Sequence, residues 1–171
     1  IAAGERTART LCETAAPAFA FTADAASVYC ATPGEVVRVG KQNGKVDRLP
    51  GGAAPLTAIV ADSVRGAVYA GSRSGELYRV AGDRLARLNP KGVRPRRIRG
   101  LAADSRGIVW VTSAETGITR YNPSTDDYKH FEQEPYTVSY NLDTITKIAE
   151  GGGLLWIKMN NWGFGLSLIH I

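Results

Sequence analysis

The chain is a series of short apolar runs, each bounded by a few polar or glycine residues. One stretch shows the pattern clearly, with two compact apolar runs followed by two alternating runs at residues 56–61, 67–71, 76–80 and 84–88. The residues between these runs include Gly, Asp and Ser, which favour turns. Runs of this length between turn residues predict β-strands, and no stretch requires a helix. The pattern therefore predicts an all-β protein.

One phrase recurs along the chain. The segment DSVRGAVY at 62–69 returns as DSRGIVW at 104–110, and weaker copies lie at 24–29 and 150–156. Each copy ends on an aromatic residue, with spacings of 40, 41 and 46 residues along the series Tyr29, Tyr69, Trp110 and Trp156. A period of about 40 residues with four strands in each unit predicts a β-propeller.

The repeat divides the chain into an incomplete propeller of about four blades, each of four antiparallel strands, over residues 1–165. The expected units are the tail of a preceding blade at 1–16, blades at 17–50, 55–90 and 97–133, and a truncated blade at 144–165. We expect the last of these to stop after two strands. Residues 166–171, LSLIHI, replace a third strand and are expected to be a non-native tail that does not continue the blade. Because the chain also begins with Ile1 and not Met, we expect truncation at both ends.

The repeated residues have a structural interpretation. Acidic residues recur at the same place in each unit, at Asp24, Asp62, Asp104 and Glu150, which favours turn capping over a calcium site or a general acid. The Tyr or Trp that ends each phrase, with its neighbouring Val or Leu, is predicted to pack between adjacent blades, because a single sheet cannot bury both of its faces alone.

Composition excludes several classes of protein. Hydrophobic residues are 44% of the chain and charged residues 22%, which is typical of a globular domain. The net charge of +5 raises nucleic acid as a partner. However, the one dense cationic cluster, 94–99, has no interleaved aromatic residues on which bases could stack. The sequence therefore predicts a solvated loop between blades and no nucleic-acid partner.

Residues that could carry catalysis are few. His130 is predicted on the outermost strand of a blade, and His170 falls in the tail that we expect to be non-native. No Ser, His and Asp arrangement is evident. Cys12 and Cys30 do not have the spacing of metal ligands. Cys30 is predicted to be a buried small hydrophobic residue. The two cysteines could form a disulfide in an oxidising compartment. We therefore expect no catalytic residue, no metal and no cofactor.

Residues 145–157, ITKIAEGGGLLWI, resemble the two-component regulator propeller repeat, and 98–123 follows the same pattern through the sequence TRYNP. The linker at 136–143 resembles the segment that precedes such a repeat, and the resemblance covers about 17–165. It implies the periplasmic sensor region of a hybrid two-component histidine kinase of the Bacteroidetes type, an inner-membrane protein. The implied partners are an oligosaccharide or other small molecule, further blades and an Ig-like stalk of the same chain, and a second copy in a homodimer.

Ligand contacts are expected from loops on one face of the propeller, because the residues of the repeated phrases form the turns and the packing between blades. The segment 160–162 is the best candidate for a glycan, since an indole offers a flat apolar face and amides can bond hydroxyls. The alternative is inter-blade packing for its Trp and turn formation for its two Asn residues. The candidate ligand-binding residues are Arg73, Arg94, Arg96, Arg97, Glu115, Tyr140, Asn141, Asn160, Asn161 and Trp162.

Two other functions stay open. A propeller enzyme, similar to virginiamycin lyases or to lactonases, requires inward histidines or carboxylates, and none is evident in this sequence. A protein-interaction scaffold would bind a partner without any small-molecule ligand.

Overall fold

The computed structural model describes residues 10, 12–113, 117–131, 145–151, 154–159 and 164–170. Within these ranges the chain is all-β and has no helix, and so no helix there is long and apolar enough to cross a membrane. The strands are β1 Ala20–Ala23, β2 Ser27–Gly40, β3 Val46–Asp62, β4 Ala67–Ser72, β5 Leu77–Ala81, β6 Arg84–Arg87, β7 Ile98–Ala103, β8 Val109–Ser113, β9 Gly117–Asn122, β10 Asp127–Phe131, β11 Ile145–Gly151, β12 Leu154–Met159 and β13 Phe164–His170.

The strands form successive antiparallel sheets that we call blades. The first six strands have the continuous order β1-β2-β3-β4-β5-β6, the next four have the order β10-β9-β8-β7, and the last three have the order β11-β12-β13. Blade 1 is residues 20–50, blade 2 is 56–87, blade 3 is 98–131 and blade 4 is 145–170. The first strand of each blade contacts the first strand of the next, so the blades are arranged side by side around these inner strands.

Blades 1 and 2 are joined without a loop. In β3, residues 46–50 pair with β2, whereas residues 56–62 pair with β4. In β2, residues 28–31 pair with β1 and residues 35–39 pair with β3, and Gly34 lies between them with a φ of 85°. Each of these two long strands therefore changes partner along its length, and the predicted four strands of blade 1 come from β1, β2 and the first part of β3.

The prediction that the fourth blade stops after two strands is wrong. Strand β13 pairs with β12 through Trp156 and Leu166, Leu155 and Ser167, and further partners. Residues 166–170 therefore continue the blade, because strand pairing depends on backbone hydrogen bonds and does not require the tyrosine that the repeat motif led us to expect. That these residues are non-native stays a prediction, as does the remnant blade at 1–16, most of which lies outside the described residues.

In the part of the chain that the structure describes, three apolar clusters lie between successive blades. Strand β4 shows how one strand serves two of them: Val68 and Ala70 belong to the cluster with blade 1, whereas Ala67 and Tyr69 belong to the cluster with blade 3. Tyr69 also meets Tyr121 of blade 3 edge-on, with ring centroids 5.9 Å apart. The alternation of strand side chains thus places consecutive residues in different cores.

The aromatic residue of each phrase packs as predicted in the first three blades. Tyr29 lies in the cluster between blades 1 and 2, Tyr69 in the cluster between blades 2 and 3, and Trp110 in the cluster between blades 3 and 4. Trp156 occupies the corresponding place in blade 4 but is 49% exposed. Its indole nitrogen donates to the Gly151 carbonyl at 3.2 Å.

The repeated aspartates cap the turns, as predicted. Oδ1 of Asp24 accepts hydrogen bonds from the amides of Ala26 and Ser27, and its Oδ2 accepts from the Tyr29 hydroxyl at 2.9 Å. Asp104 repeats the arrangement in blade 3, where its Oδ2 accepts from the indole nitrogen of Trp110 at 3.0 Å. One carboxylate therefore joins the turn to the aromatic residue that packs on the next blade. The same role for Glu150 stays a prediction.

The turn of blade 2 uses a different connection. Oδ1 of Asp62 accepts from the Val64 and Arg65 amides, but its buried Oδ2 accepts no hydrogen bond from any described group. The Arg65 guanidinium lies 3.6 Å from that oxygen and donates to the carbonyls of Arg106 and Gly107 in blade 3. Arg65 thus links the turns of adjacent blades, which the sequence did not predict.

The two cysteines are free, and so the disulfide that the sequence left open is not formed. Cys30 is half-buried, less than expected, and burial, followed by the nearby Cys12, raises the pKa of its thiol. His130 lies on β10, the outermost strand of blade 3, as predicted, with its Nδ1 3.2 Å from the Thr119 hydroxyl.

Candidate functional site

Four of the predicted ligand-binding residues lie at the junction of blades 2 and 3. Arg73 is in the turn between β4 and β5, and the other three are in the linker of residues 88–97 that leads from blade 2 into blade 3. All four side chains are exposed. We call this group, Arg73, Arg94, Arg96 and Arg97, the arginine surface.

The linker is held against blade 3 at its middle. The Lys91 amide donates to the Asp126 carbonyl at 3.0 Å, and the Tyr128 amide donates to the Lys91 carbonyl at 2.6 Å. Further along, Pro95 is buried and the Ser113 hydroxyl donates to the Arg96 carbonyl. The backbone that carries the exposed arginines is therefore fixed on both sides of Arg94.

A glycine brings the turn of blade 2 against this linker. Gly75 has a φ of 84°, and a Cβ on it would collide with the Pro95 carbonyl oxygen and lie 3.1 Å from the Arg96 Cα. Only glycine combines that backbone conformation with so close an approach. Because Arg73 is two residues before Gly75, this contact places Arg73 beside the arginines of the linker.

Arg97 itself has an unusual backbone. Its φ of 51° lies in the left-handed region, which non-glycine residues seldom adopt. Strain of this kind persists only where the surrounding structure fixes it, and it is concentrated at binding and catalytic sites. The conformation marks the point at which the linker turns into β7.

Among the described residues, the carboxylate of Glu76 lies beside the arginine surface and already has partners. Glu76 accepts hydrogen bonds from Tyr78 at 2.6 Å and Ser74 at 3.1 Å, and it pairs with Arg87 at 3.1 Å. These contacts, led by the Tyr78 hydrogen bond and supported by Arg94, hold the pKa of Glu76 below its usual 4.5 against the opposing effect of burial. Glu76 is therefore held in its ionised form at the edge of the arginine surface.

The chemistry of the arginine surface is recognition of anions. Guanidinium groups are permanent cations whose paired N–H donors match carboxylate, sulfate or phosphate. Among the described residues, no group of three or more His, Cys, Asp or Glu side chains could hold a metal ion. The described arginines of this surface offer charge-assisted hydrogen bonds to such an anion.

The other six predicted residues lie outside the described ranges. They are Glu115, Tyr140, Asn141, Asn160, Asn161 and Trp162. Their proposed contact with a glycan stays a prediction.

The structure also contains a cavity that the sequence did not predict. It lies along the inner strands, has a volume of about 230 Å³, and its lining includes Phe19, Phe21, Thr57, Ile59, Arg99 and Leu101. These residues come from the first three blades and the segment just before blade 1, and Ile148 of blade 4 also lines the cavity, so no local motif contains the lining. The nearest signal in the sequence is the pair of phenylalanines at the start of the first inner strand, flanked by small residues.

No protein-family model matches the chain, and no curated protein matches it in sequence. The likenesses are structural. The computationally designed protein Ika4 superposes with a TM-score of 0.71 at 13% identity, covering 92% of this chain and 94% of that one. The protein U3-55K superposes with a TM-score of 0.68 at 12% identity, covering 89% of this chain and 51% of U3-55K.

A third solved structure, a catalytically inactive virginiamycin B lyase from Staphylococcus aureus with quinupristin, gives a TM-score of 0.67 at 16% identity, covering 86% of this chain and 50% of the lyase. The chain has a propeller-like fold. At these identities the likeness extends to the fold alone, because one scaffold serves many functions. The chain spans about half the length of the lyase and of U3-55K.

Proposed function

We propose that this chain is a ligand-recognising part of a sensor propeller of the two-component regulator type, and that it binds acidic oligosaccharides without transforming them. The observation that carries the proposal is the arginine surface, four exposed guanidinium groups on a backbone held between two blades. The repeated aspartates and aromatics are occupied with turns and blade packing, which leaves recognition to the loops.

The repeat resemblance supports the sensor part of the proposal. By that resemblance the propeller lies in the periplasm, at the membrane-distal end of a hybrid histidine kinase that acts as a homodimer. The exposure and charge of the described arginines support an anionic ligand, because a cationic surface favours anions over neutral sugars.

Calorimetric titration of the chain with oligogalacturonides, and with neutral maltooligosaccharides of the same length, tests the ligand. We expect binding of the acidic series, weakened about tenfold or more in Arg94→Gln and in Arg97→Asn, because a hydrogen bond to a charged group contributes about 1.5–3 kcal/mol. Asn is chosen at 97 because it tolerates a left-handed backbone. Arg84→Gln, an exposed arginine on β6, is the matched control.

Equal binding of the neutral series, or an equal loss in Arg84→Gln, would refute recognition by the arginine surface. The sensor assignment has its own test in the complete coding sequence. It requires a membrane-spanning helix and a histidine-kinase core in the same reading frame, and a soluble enzyme gene in their place would overturn it.

A further inference from the structure

Among its described lining residues, the cavity along the inner strands combines two exposed aromatic rings with one arginine. Phe19 is 53% exposed and Phe21 is 79% exposed, the highest value among the large apolar side chains of the described residues. Exposed apolar groups gathered at a concave surface are typical of a binding site. Two of the six exposed large apolar residues in the described ranges thus line one cavity.

Polar side chains are few among the described residues that line the cavity. The Thr57 hydroxyl donates to the Ile98 carbonyl at 2.6 Å and approaches the Gly71 carbonyl at 3.3 Å, so its proton is already used. No Asp or Glu is among the described residues that line the cavity. Arg99 is exposed, and no ion pair with a described residue engages it. The guanidinium of Arg99 is therefore the one charged donor among the described lining residues.

We propose that this cavity binds a compact apolar carboxylate, with the carboxylate on Arg99 and the apolar body against Phe19 and Phe21. A carboxylate matches the paired donors of a guanidinium, and the other described lining side chains are apolar apart from Thr57. A sugar would find only Thr57 and Arg99 as polar side chains among the described lining residues, and each hydroxyl that enters without a partner loses its hydrogen bonds to water.

The size of the cavity limits the ligand further. Its volume of about 230 Å³ is below the range of roughly 300–1,000 Å³ that is usual for drug-sized ligands. A single aromatic ring with a short acidic side chain is of the right scale. The site goes beyond the proposed recognition of oligosaccharides, because it uses different residues and excludes hydroxyl-rich molecules.

Phenylacetate, phenylacetamide and glucuronate are the probes, each titrated calorimetrically into the whole chain. We expect phenylacetate to bind, and both the neutral amide and the hydroxyl-rich glucuronate to bind at least tenfold more weakly at this site. In Arg99→Gln the affinity for phenylacetate should fall about tenfold to a hundredfold. Arg79→Gln, an exposed arginine on β5, is the matched control.

Phe21→Ser provides a second variant, and because Phe21 is highly exposed the substitution does not disturb the core. It should weaken the binding of phenylacetate without changing the midpoint of urea unfolding. No binding of phenylacetate at millimolar concentrations, or the same affinity for phenylacetamide, overturns the proposal even if Arg99→Gln fails to fold. Loss of phenylacetate binding in Arg94→Gln would instead assign it to the arginine surface, so the two sites are tested separately.

Discussion

The bond between Asp104 and Trp110 links a turn to the core between blades 3 and 4, and its removal should be costly. The Asp104 side chain is fully buried, and Trp110 is 2% exposed. In Asp104→Asn, one oxygen can still accept from the amides of Arg106 and Ile108, which lie 2.9 and 3.0 Å from Oδ1. The amide nitrogen then faces the indole N–H, and two donors oppose each other.

The expected loss is about 3 kcal/mol in the free energy of unfolding. A hydrogen bond to a charged group contributes roughly 1.5–3 kcal/mol, and a buried donor without a partner costs a further amount of about 1–3 kcal/mol. The Arg106 guanidinium, 3.2 Å from Oδ2, adds little because its side chain is 55% exposed. Urea unfolding followed by far-UV circular dichroism measures the loss, with Asp83→Asn in an exposed turn as the control.

Trp110→Phe completes a double-mutant cycle, since Phe keeps an aromatic ring but removes the donor. We expect a coupling energy of about 1–2 kcal/mol between positions 104 and 110. A cost for Asp104→Asn no larger than that of Asp83→Asn, or a coupling energy near zero, would show that the bond does not stabilise the fold.

The same pair predicts a pH dependence. Burial of Asp104 acts to raise its pKa, but the hydrogen bonds from Trp110, Ile108 and Arg106 outweigh burial and hold the pKa below its usual 3.8. A carboxyl with a lowered pKa stabilises the fold above its ordinary value, and that contribution is lost as the pH falls through the folded value. The difference in stability between the unmodified chain and Asp104→Asn should therefore shrink as the pH falls below 3.8.

Two further substitutions test the contacts between blades by urea denaturation. Gly75→Ala should lower the free energy of unfolding by more than the roughly 1–2 kcal/mol of an alanine in the left-handed region, because its Cβ meets the Pro95 carbonyl. Gly82→Ala has open space around its Cβ and should cost only that backbone strain. Equal losses in the two variants would contradict the close approach of Gly75 to Pro95. Arg65→Met should lower the free energy of unfolding by about 1 kcal/mol, because the hydrogen bonds to Arg106, Gly107 and Ser124 are lost. Arg84→Met is the control and should change it by close to zero. An unchanged stability in Arg65→Met would show that the link between the turns contributes nothing.

The repeat made the main features of the fold predictable. A fixed period indicates the positions of the strands, the turns and the residues that pack between blades, because every unit packs against its neighbours in the same way. Thus Asp104 and Trp110 were placed correctly from their recurrence alone. The long strand β2 was not predicted. The TPGE turn of blade 1 has one residue fewer than the corresponding SRSGE turn of blade 2, and in the structure β2 continues through it.

The candidate site was less accessible to sequence reasoning. Arg73 and the linker arginines were found because loops between repeats are where the copies differ. Their contact depends on Gly75, whose role appears only once the turn meets Pro95. The cavity was missed because Phe21, Thr57 and Arg99 are about 40 residues apart and are united only by the arrangement of the inner strands.

The continuous strand β3 has a consequence for how the protein opens. Because one 17-residue strand supplies backbone partners to both β2 and β4, neither blade 1 nor blade 2 can separate from the other without breaking its own ladder. Blade 3, in contrast, is reached through a linker outside any strand. Blades 1 and 2 therefore form one cooperative unit of local unfolding, whose amides should exchange with solvent together, and the boundary of that unit falls at the linker that carries the arginines.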